Sequence, residues 1–277
     1  LEGGSAARYL PTGHLVYAQG TALFAVPFDP QARTVRGRPV AVVDDLRRSS
    51  NGISDTAYYD VAENGTLVTV PGNADTEDRF ATTLTWVDRD GREVPFPARA
   101  DDYTMARISP DGTKVALVTG ATVARNTRPA IWIFDRRTEN LSQLTADPGG
   151  DDGPVWSADG SRIFYRSFRG DTGGMYAIEL ETGETRLVAP NTPEFAGVLP
   201  WTISPDDRTL LGMVIPNGEF DIVTLSVTDG EIANLLSDAE VIESEPSFSP
   251  NGAWIAYREG PRGGAAEINI RPFPGVS

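Results

Sequence analysis

A short phrase recurs along the chain at a nearly constant interval, and it constrains the fold more than any other feature. Its clearest copies are Arg107-Ile-Ser-Pro-Asp-Gly-Thr-Lys-Val-Ala-Leu117, Pro154-Val-Trp-Ser-Ala-Asp-Gly-Ser-Arg-Ile-Phe-Tyr165, Trp201-Thr-Ile-Ser-Pro-Asp-Asp-Arg-Thr-Leu-Leu211 and Pro246-Ser-Phe-Ser-Pro-Asn-Gly-Ala-Trp-Ile-Ala-Tyr257. Degenerate copies stand at Tyr9–Tyr17 and Tyr59–Val68. The fourth residue of the turn falls at Gly13, Gly65, Gly112, Gly160, Asp207 and Gly252, so the intervals are 52, 47, 48, 47 and 45 residues. Pro presets φ, Asp or Asn bonds its own backbone, and Gly takes positive φ without strain, so each copy is a tight turn between two strands. Asp207 departs from Gly and is expected to adopt the left-handed conformation at some cost.

A second phrase follows each first one: Leu23-Phe-Ala-Val26, Leu84-Thr-Trp-Val87, Ile131-Trp-Ile-Phe134, Met175-Tyr-Ala-Ile178, Ile222-Val-Thr-Leu225 and Ile268-Asn-Ile270. Hairpin turns such as Asp88–Gly91, Glu181–Gly183 and Thr228–Gly230 come next, then short outer strands such as Val40–Val43, Ser142–Leu144, Thr185–Val188 and Ile232–Leu235. Four short strands in a phase-locked unit, six times over, predict an all-β chain: a six-bladed β-propeller of four-stranded antiparallel blades. The whole of 1–277 reads as a single propeller domain, with blades near 7–46, 56–99, 105–146, 153–189, 200–236 and 245–277. The sixth unit stops at Ser277, where its outer strand should begin. That blade is therefore expected to be incomplete or closed by the N-terminus, and the chain to be part of a longer protein.

The phrases resemble the TolB-like, WD-like propeller repeat of bacteria. Longer stretches are similar to the propeller region of large bacterial serine/threonine protein kinases: Ala7–Tyr17, Leu23–Asp29, Glu63–Leu67, Leu84–Gly91, Leu144–Pro148 and Glu267–Gly275. The resemblance covers essentially the whole chain. It implies a sensory or protein-interaction role within a larger, membrane-attached bacterial protein, in a periplasmic or extracellular setting. The kinase signatures themselves are missing from this sequence, with no G-x-G-x-x-G loop, no His-Arg-Asp and no Asp-Phe-Gly.

Chemistry is sparse. With 24 Lys and Arg against 39 Asp and Glu, the formal charge is −15, which disfavours nucleic acid and leaves basic or neutral partners. No apolar run is long enough to span a bilayer, so no membrane insertion by this segment is expected. There is no cysteine, and the single histidine, His14, cannot build a multi-histidine metal site and has no G-x-S-x-G elbow beside it. The acidic residues Asp111, Asp159 and Asp206 belong to the turns.

A different acidic set precedes the inner strands of four blades: Asp55, Asp101, Asp102, Asp151, Asp152, Glu243 and Glu245. In a propeller such positions converge on one mouth of the central channel, where clustered carboxylates attract cations or a basic peptide or protein. They are the candidate binding residues, with Tyr103, Trp156, Trp201 and Phe248 as aromatic neighbours. The leading expectation is thus a non-catalytic binding or scaffold propeller without a cofactor. The alternative is a Ca²⁺-dependent propeller hydrolase or lactonase using the same carboxylates. Two inserts, 73–79 and 191–200, lengthen loops where recognition often resides.

Overall fold

In the computed structural model, residues 3–48, 57–62, 65–71, 83–98, 101–120, 128–171, 173–215, 220–238, 240–261 and 265–274 are described. They form six antiparallel sheets, and in each the strands lie side by side in chain order, apart from the split outer strand of the first. Blade 1 holds β1 (Ser5–Leu10), β2 (His14–Gln19) and β3 (Ala22–Asp29), with β4 (Thr34–Val35) and β5 (Val40–Val43) both pairing with β3. Blade 2 holds β6 (Tyr59–Val61), β7 (Leu67–Thr69), β8 (Thr85–Val87) and β9 (Glu93–Pro95). Blade 3 is β10 (Tyr103–Ile108), β11 (Lys114–Thr119), β12 (Ala130–Asp135) and β13 (Asn140–Gln143). Blade 4 is β14 (Asp151–Trp156), β15 (Arg162–Ser167), β16 (Gly174–Glu179) and β17 (Thr185–Pro190). Blade 5 is β18 (Leu199–Ile203), β19 (Thr209–Val214), β20 (Asp221–Ser226) and β21 (Ile232–Leu236). Blade 6 is β22 (Ile242–Phe248), β23 (Trp254–Gly260) and β24 (Glu267–Pro272). The chain is an all-β six-bladed propeller, and the first strands of successive blades touch around the axis.

The turns of the four clear copies are built the same way. Ser109 Oγ donates to Asp111 Oδ1 at 2.6 Å and accepts from Lys114 N at 2.9 Å. Ser157 with Asp159, Ser204 with Asp206, and Ser249 with Asn251 repeat the pattern at 2.6, 2.6 and 2.7 Å. The serine therefore closes the turn from inside, while Gly112 and Gly252 supply the positive φ, 72° and 69°. Between blades the turns interlock: a Cβ on Gly160 would lie 3.6 Å from Pro110, and one on Gly252 3.1 Å from Pro205.

Asp207 keeps the left-handed φ of 59° that its position predicts, and the structure supplies the offset. Its Oδ1 accepts the Ala158 N–H at 2.6 Å, and its Oδ2 lies 3.7 Å from Arg162. Ala158 is the one turn position among the four clear copies where proline is replaced, so it alone has an N–H to satisfy. The two departures from the repeat are one interaction.

Every pair of neighbouring blades buries its own apolar cluster. Examples are Phe96, Tyr103 and Phe134 between blades 2 and 3, and Phe164, Val188 and Leu210 between blades 4 and 5. The ring closes between blades 6 and 1 without strand exchange. β1 remains the inner strand of blade 1 and packs on β22 and β23, and Ile268 and Ile270 meet Ala7, Leu15 and Tyr17. The Gly3 N–H donates to Ala266 O at 2.8 Å, and the Arg33 guanidinium stacks 4.7 Å over Trp254. At this seam a Cβ on Gly13 would meet nothing within 4 Å, and a cleft of about 450 Å³ opens beside Tyr9, Phe28, Pro250 and Trp254.

Candidate functional site

Inner strands are bent where they line the channel. The β1–β2 register shifts between Ser5 and Arg8, β14–β15 between Asp152 and Val155, and β22–β23 between Ser244 and Ser247, with further shifts in β10 and β18. Within three of these bulges Ala6, Gly153 and Glu245 take positive φ, 53°, 62° and 58°. A bulge adds one residue against the partner strand and re-aims the side chains beyond it.

That geometry decides where the predicted carboxylates sit. Asp151, Asp152, Glu243 and Glu245 lie inside β14 and β22 rather than in the loops preceding them, because the bulge interrupts the alternation by which strands are recognised. Asp101 is half-buried and its Oδ1 accepts the Asp102 N–H at 2.8 Å; Asp102 is buried just before β10. Asp55 lies outside the described residues, as does the 73–79 insert.

Blade 4 neutralises its own acids. Arg166 grips Asp152 with two bonds of 2.8 and 2.6 Å and donates to Gly197 O at 3.0 Å, tying the 191–200 insert to the sheet. Asp151, 1% exposed, faces Arg169 at 3.4 Å, whose guanidinium lies 4.3 Å over Tyr176. In blade 6, burial pushes the Glu243 carboxyl up to about 7, with Asp221, Glu259 and Asp238 nearby adding like charge. Glu245, also 1% exposed, accepts the Ala6 N–H across the seam between blades 6 and 1. Among the described residues no group of three or more His, Asp or Glu side chains is disposed to hold a metal ion.

At the opposite end of the inner strands, beside the turns, a cavity of about 300 Å³ is lined by all six blades. One column of the repeat runs through its lining. The residues five before the turn position are Arg8, Asp60, Arg107, Val155, Thr202 and Ser247, and every one lines the cavity. Asp60 Oδ2 accepts the Ile108 N–H at 2.7 Å and Oδ1 lies 4.0 Å from Arg8, so one carboxylate ties the backbone of blade 3 to an arginine of blade 1. Arg107 lies 5.0 Å over the Trp201 ring, and Trp156 Nε1 donates to Arg107 O at 2.9 Å. Burial drives Arg107 down to about 10, opposed mainly by Asp60. Tyr59, whose hydroxyl donates to Ala6 O and Val16 O, is pushed up by the same burial. Trp156, Trp201 and Phe248 thus both pack between blades and line the cavity, whereas Tyr103 belongs to the core alone. His14 bonds locally to Thr12.

Sequence reasoning missed Arg8, Asp60 and Arg107, although reading the repeat in register would have found them. The cavity can hold a polar group from a partner between two guanidiniums, a carboxylate and two indoles.

Comparison with known proteins agrees with the architecture. The model described as the TolB beta propeller domain, PD40, matches residues 76–270. The Tol-Pal system protein TolB of Alcanivorax borkumensis is 29% identical over 157 residues, covering 53% of this chain and 34% of that protein. The chain thus matches only about a third of that curated relative's length. TolB from Acinetobacter baumannii superposes with a TM-score of 0.68 at 17% identity, over 91% of this chain and 57% of that one. A gluconolactonase from Xanthomonas campestris superposes with a TM-score of 0.64 at 11% identity, over 97% and 86%. With its family matched over more than half its length, the chain belongs to the TolB β-propeller family.

Proposed function

We propose that this chain is a binding propeller, the sensory or protein-interaction region of a larger bacterial protein, whose partner docks at a mouth of the central channel. The observation that carries this reading is the convergence of all six blades on one open cavity with Arg8, Asp60 and Arg107 in its lining. A rigid ring offering a polar centre rimmed by Trp156 and Trp201 suits insertion of a side chain from a protein or peptide. The family supports a protein-binding role, and the kinase-like phrases make a serine/threonine kinase the proposed parent. A periplasmic or extracellular location is part of the same proposal. Among the described residues no helix is long and apolar enough to cross a membrane.

The sequence-based site at the other mouth remains the competing placement. Asp101 and Asp152 are its half-exposed members, and Asp152 is already held by Arg166. The calcium-dependent hydrolase or lactonase reading, which uses the same acidic set, draws less support, because Asp152 and Asp151 already face the guanidiniums of Arg166 and Arg169. A calorimetric Ca²⁺ titration tests it directly.

The decisive experiment places a photo-crosslinking residue at Thr202 or Ser247, at Asp101, and at the outer-strand control Thr185, in the native bacterium. Adducts at Thr202 and Ser247 alone are expected. Adducts at Asp101 instead would move the site to the other mouth, and adducts equally strong at Thr185, or at none of the four, would refute docking at the channel.

A further inference from the structure

Two guanidiniums and one carboxylate meet in the cavity shared by the six blades, and their charges do not balance. Arg8 and Arg107 hold the same place of the repeat in blades 1 and 3, and Asp60 holds it in blade 2. Among the described residues, Asp60 is the one acidic side chain in the lining. The turn carboxylates Asp111, Asp159 and Asp206 lie outside it and are bonded to their own serines. One positive charge is left over, in a place where the Arg8 and Asp60 side chains are only 15% and 13% exposed. Resting on docking at this mouth, we propose that the cavity receives a carboxylate from an acidic side chain of the protein partner, and that Arg8 and Arg107 hold it.

The two arginines are held alike. Each donates Nη1 to the carbonyl of the residue before it, Arg8 to Ala7 O at 3.1 Å and Arg107 to Ala106 O at 3.2 Å. That bond fixes the head and leaves Nη2 without a hydrogen-bond partner among the described residues. Asp60 does not make up the difference. One of its oxygens accepts the Ile108 N–H, and the other lies 4.0 Å from Arg8 Nε, beyond hydrogen-bond reach. Arg107 Nε and Trp201 Nε1 are buried with no acceptor, and Trp201 as a whole is 4% exposed. Trp156 differs, because its Nε1 is satisfied by Arg107 O. The depression of Arg107 to about 10 fits the same picture: burial lowers it, Arg8 lowers it further, and Asp60 only partly opposes them.

Water accepts bonds from such donors but brings no charge. A carboxylate does both, and its two oxygens match the parallel N–H groups of a guanidinium. The size of the surplus selects among anions: a monoanion neutralises it, whereas a dianionic phosphate overshoots beside Asp60. The lining also includes Pro110, Pro205 and Pro250 from three turns. They are apolar surface on which the chain flanking a docked side chain packs, and a free small anion leaves them uncovered. The charge required here is opposite to that of the basic partner expected from the acidic set at the other mouth.

NMR titration of the 277-residue chain tests this, with N-acetyl-glutamate methylamide, its glutamine analogue and inorganic phosphate as probes. The Trp201 indole N–H and the Thr202 and Ser247 amides report binding. Saturable shifts are expected with the glutamate probe and not with glutamine, and phosphate should bind more weakly. Arg107→Gln should weaken the glutamate probe about tenfold, a loss of ~1.4 kcal/mol. Arg107→Lys, which keeps the charge but not the paired N–H groups, should fall between the two and separates loss of the contact from loss of the fold. In the bacterium, Arg107→Gln should erase the crosslinks at Thr202 and Ser247. Equal shifts from glutamate and glutamine, tighter binding of phosphate, or crosslinks undiminished in Arg107→Gln would overturn the carboxylate while leaving docking at this mouth intact. Crosslinks missing from the parent chain itself would instead refute the docking, and with it a carboxylate supplied by a partner.

Discussion

Asp207 and Ala158 break the repeat in adjacent turns, and the structure predicts that they do so together. At the two flanking junctions the ring sets a proline of one turn against the glycine of the next, Pro110 on Gly160 and Pro205 on Gly252. Between blades 4 and 5 the pair is Ala158 and Asp207, joined by a 2.6 Å bond from the Ala158 N–H. Asp207→Gly relieves about 1 kcal/mol of left-handed strain. It also loses a charge-assisted bond worth roughly 1.5–2 kcal/mol at a part-exposed site, for a net loss of about 0.5–1 kcal/mol. Ala158→Pro removes the donor and sets a ring against the Asp207 side chain, costing about 2 kcal/mol. Additivity would make the double variant roughly 2.5–3 kcal/mol less stable than the parent. Instead the double variant recreates the Pro-on-Gly contact, gains about 0.4–1 kcal/mol through the unfolded chain, and should lie within about 1 kcal/mol of wild type. The coupling is thus about 2 kcal/mol, read from urea unfolding of all four proteins. A double variant that matches the sum of the singles to within about 0.5 kcal/mol would refute the argument.

Three further outcomes are expected. Glu243 binds its proton more tightly in the folded protein, about 7 against 4.5, so its contribution is complete below pH 4.5 and lost as pH rises through about 7. Glu243→Gln should therefore flatten the pH dependence of the urea midpoint over that window, by on the order of 2 kcal/mol. In the turn of blade 4, the Ser157 and Ser161 bonds hold Asp159 down at about 2. Ser157→Ala should raise its titration midpoint toward 3.8 by NMR while Asp111, in another blade, stays near 2. At the seam, Glu245→Ala leaves the Ala6 N–H buried without its carboxylate, a loss of about 2–3 kcal/mol. Hydrogen exchange should quicken in β1 and β22 well before it does in β15, and uniform quickening would remove Glu245 from ring closure.

The legible and the hidden parts of the sequence divide at the bulges. Turns are local chemistry, so Ser-Pro-Asp-Gly announces itself, and six copies in phase leave little besides a propeller to build; even the left-handed Asp207 could be foreseen. The carboxylates depend on register. Counting back from the blade 4 turn, where Val155 faces Phe164, an unbroken ladder would set Asp152 opposite Ser167. The observed partner is Arg166, one residue away. A slip of one residue turns a side chain to the opposite face of a sheet. That slip separates a solvent-facing acidic rim from the arrangement in the structure: Asp152 clasped by Arg166, Asp151 buried against Arg169, and Glu245 closing the ring. The residues after the bulge suffer no such ambiguity, because they are counted from the turn itself. Five positions back from each turn, the column Arg8, Asp60, Arg107, Val155, Thr202 and Ser247 names residues of the cavity lining from sequence alone. In a repeat protein of this kind, the positions most legible from sequence are those measured from the turn without crossing a bulge, as the column of Arg8, Asp60 and Arg107 is and the acidic set is not.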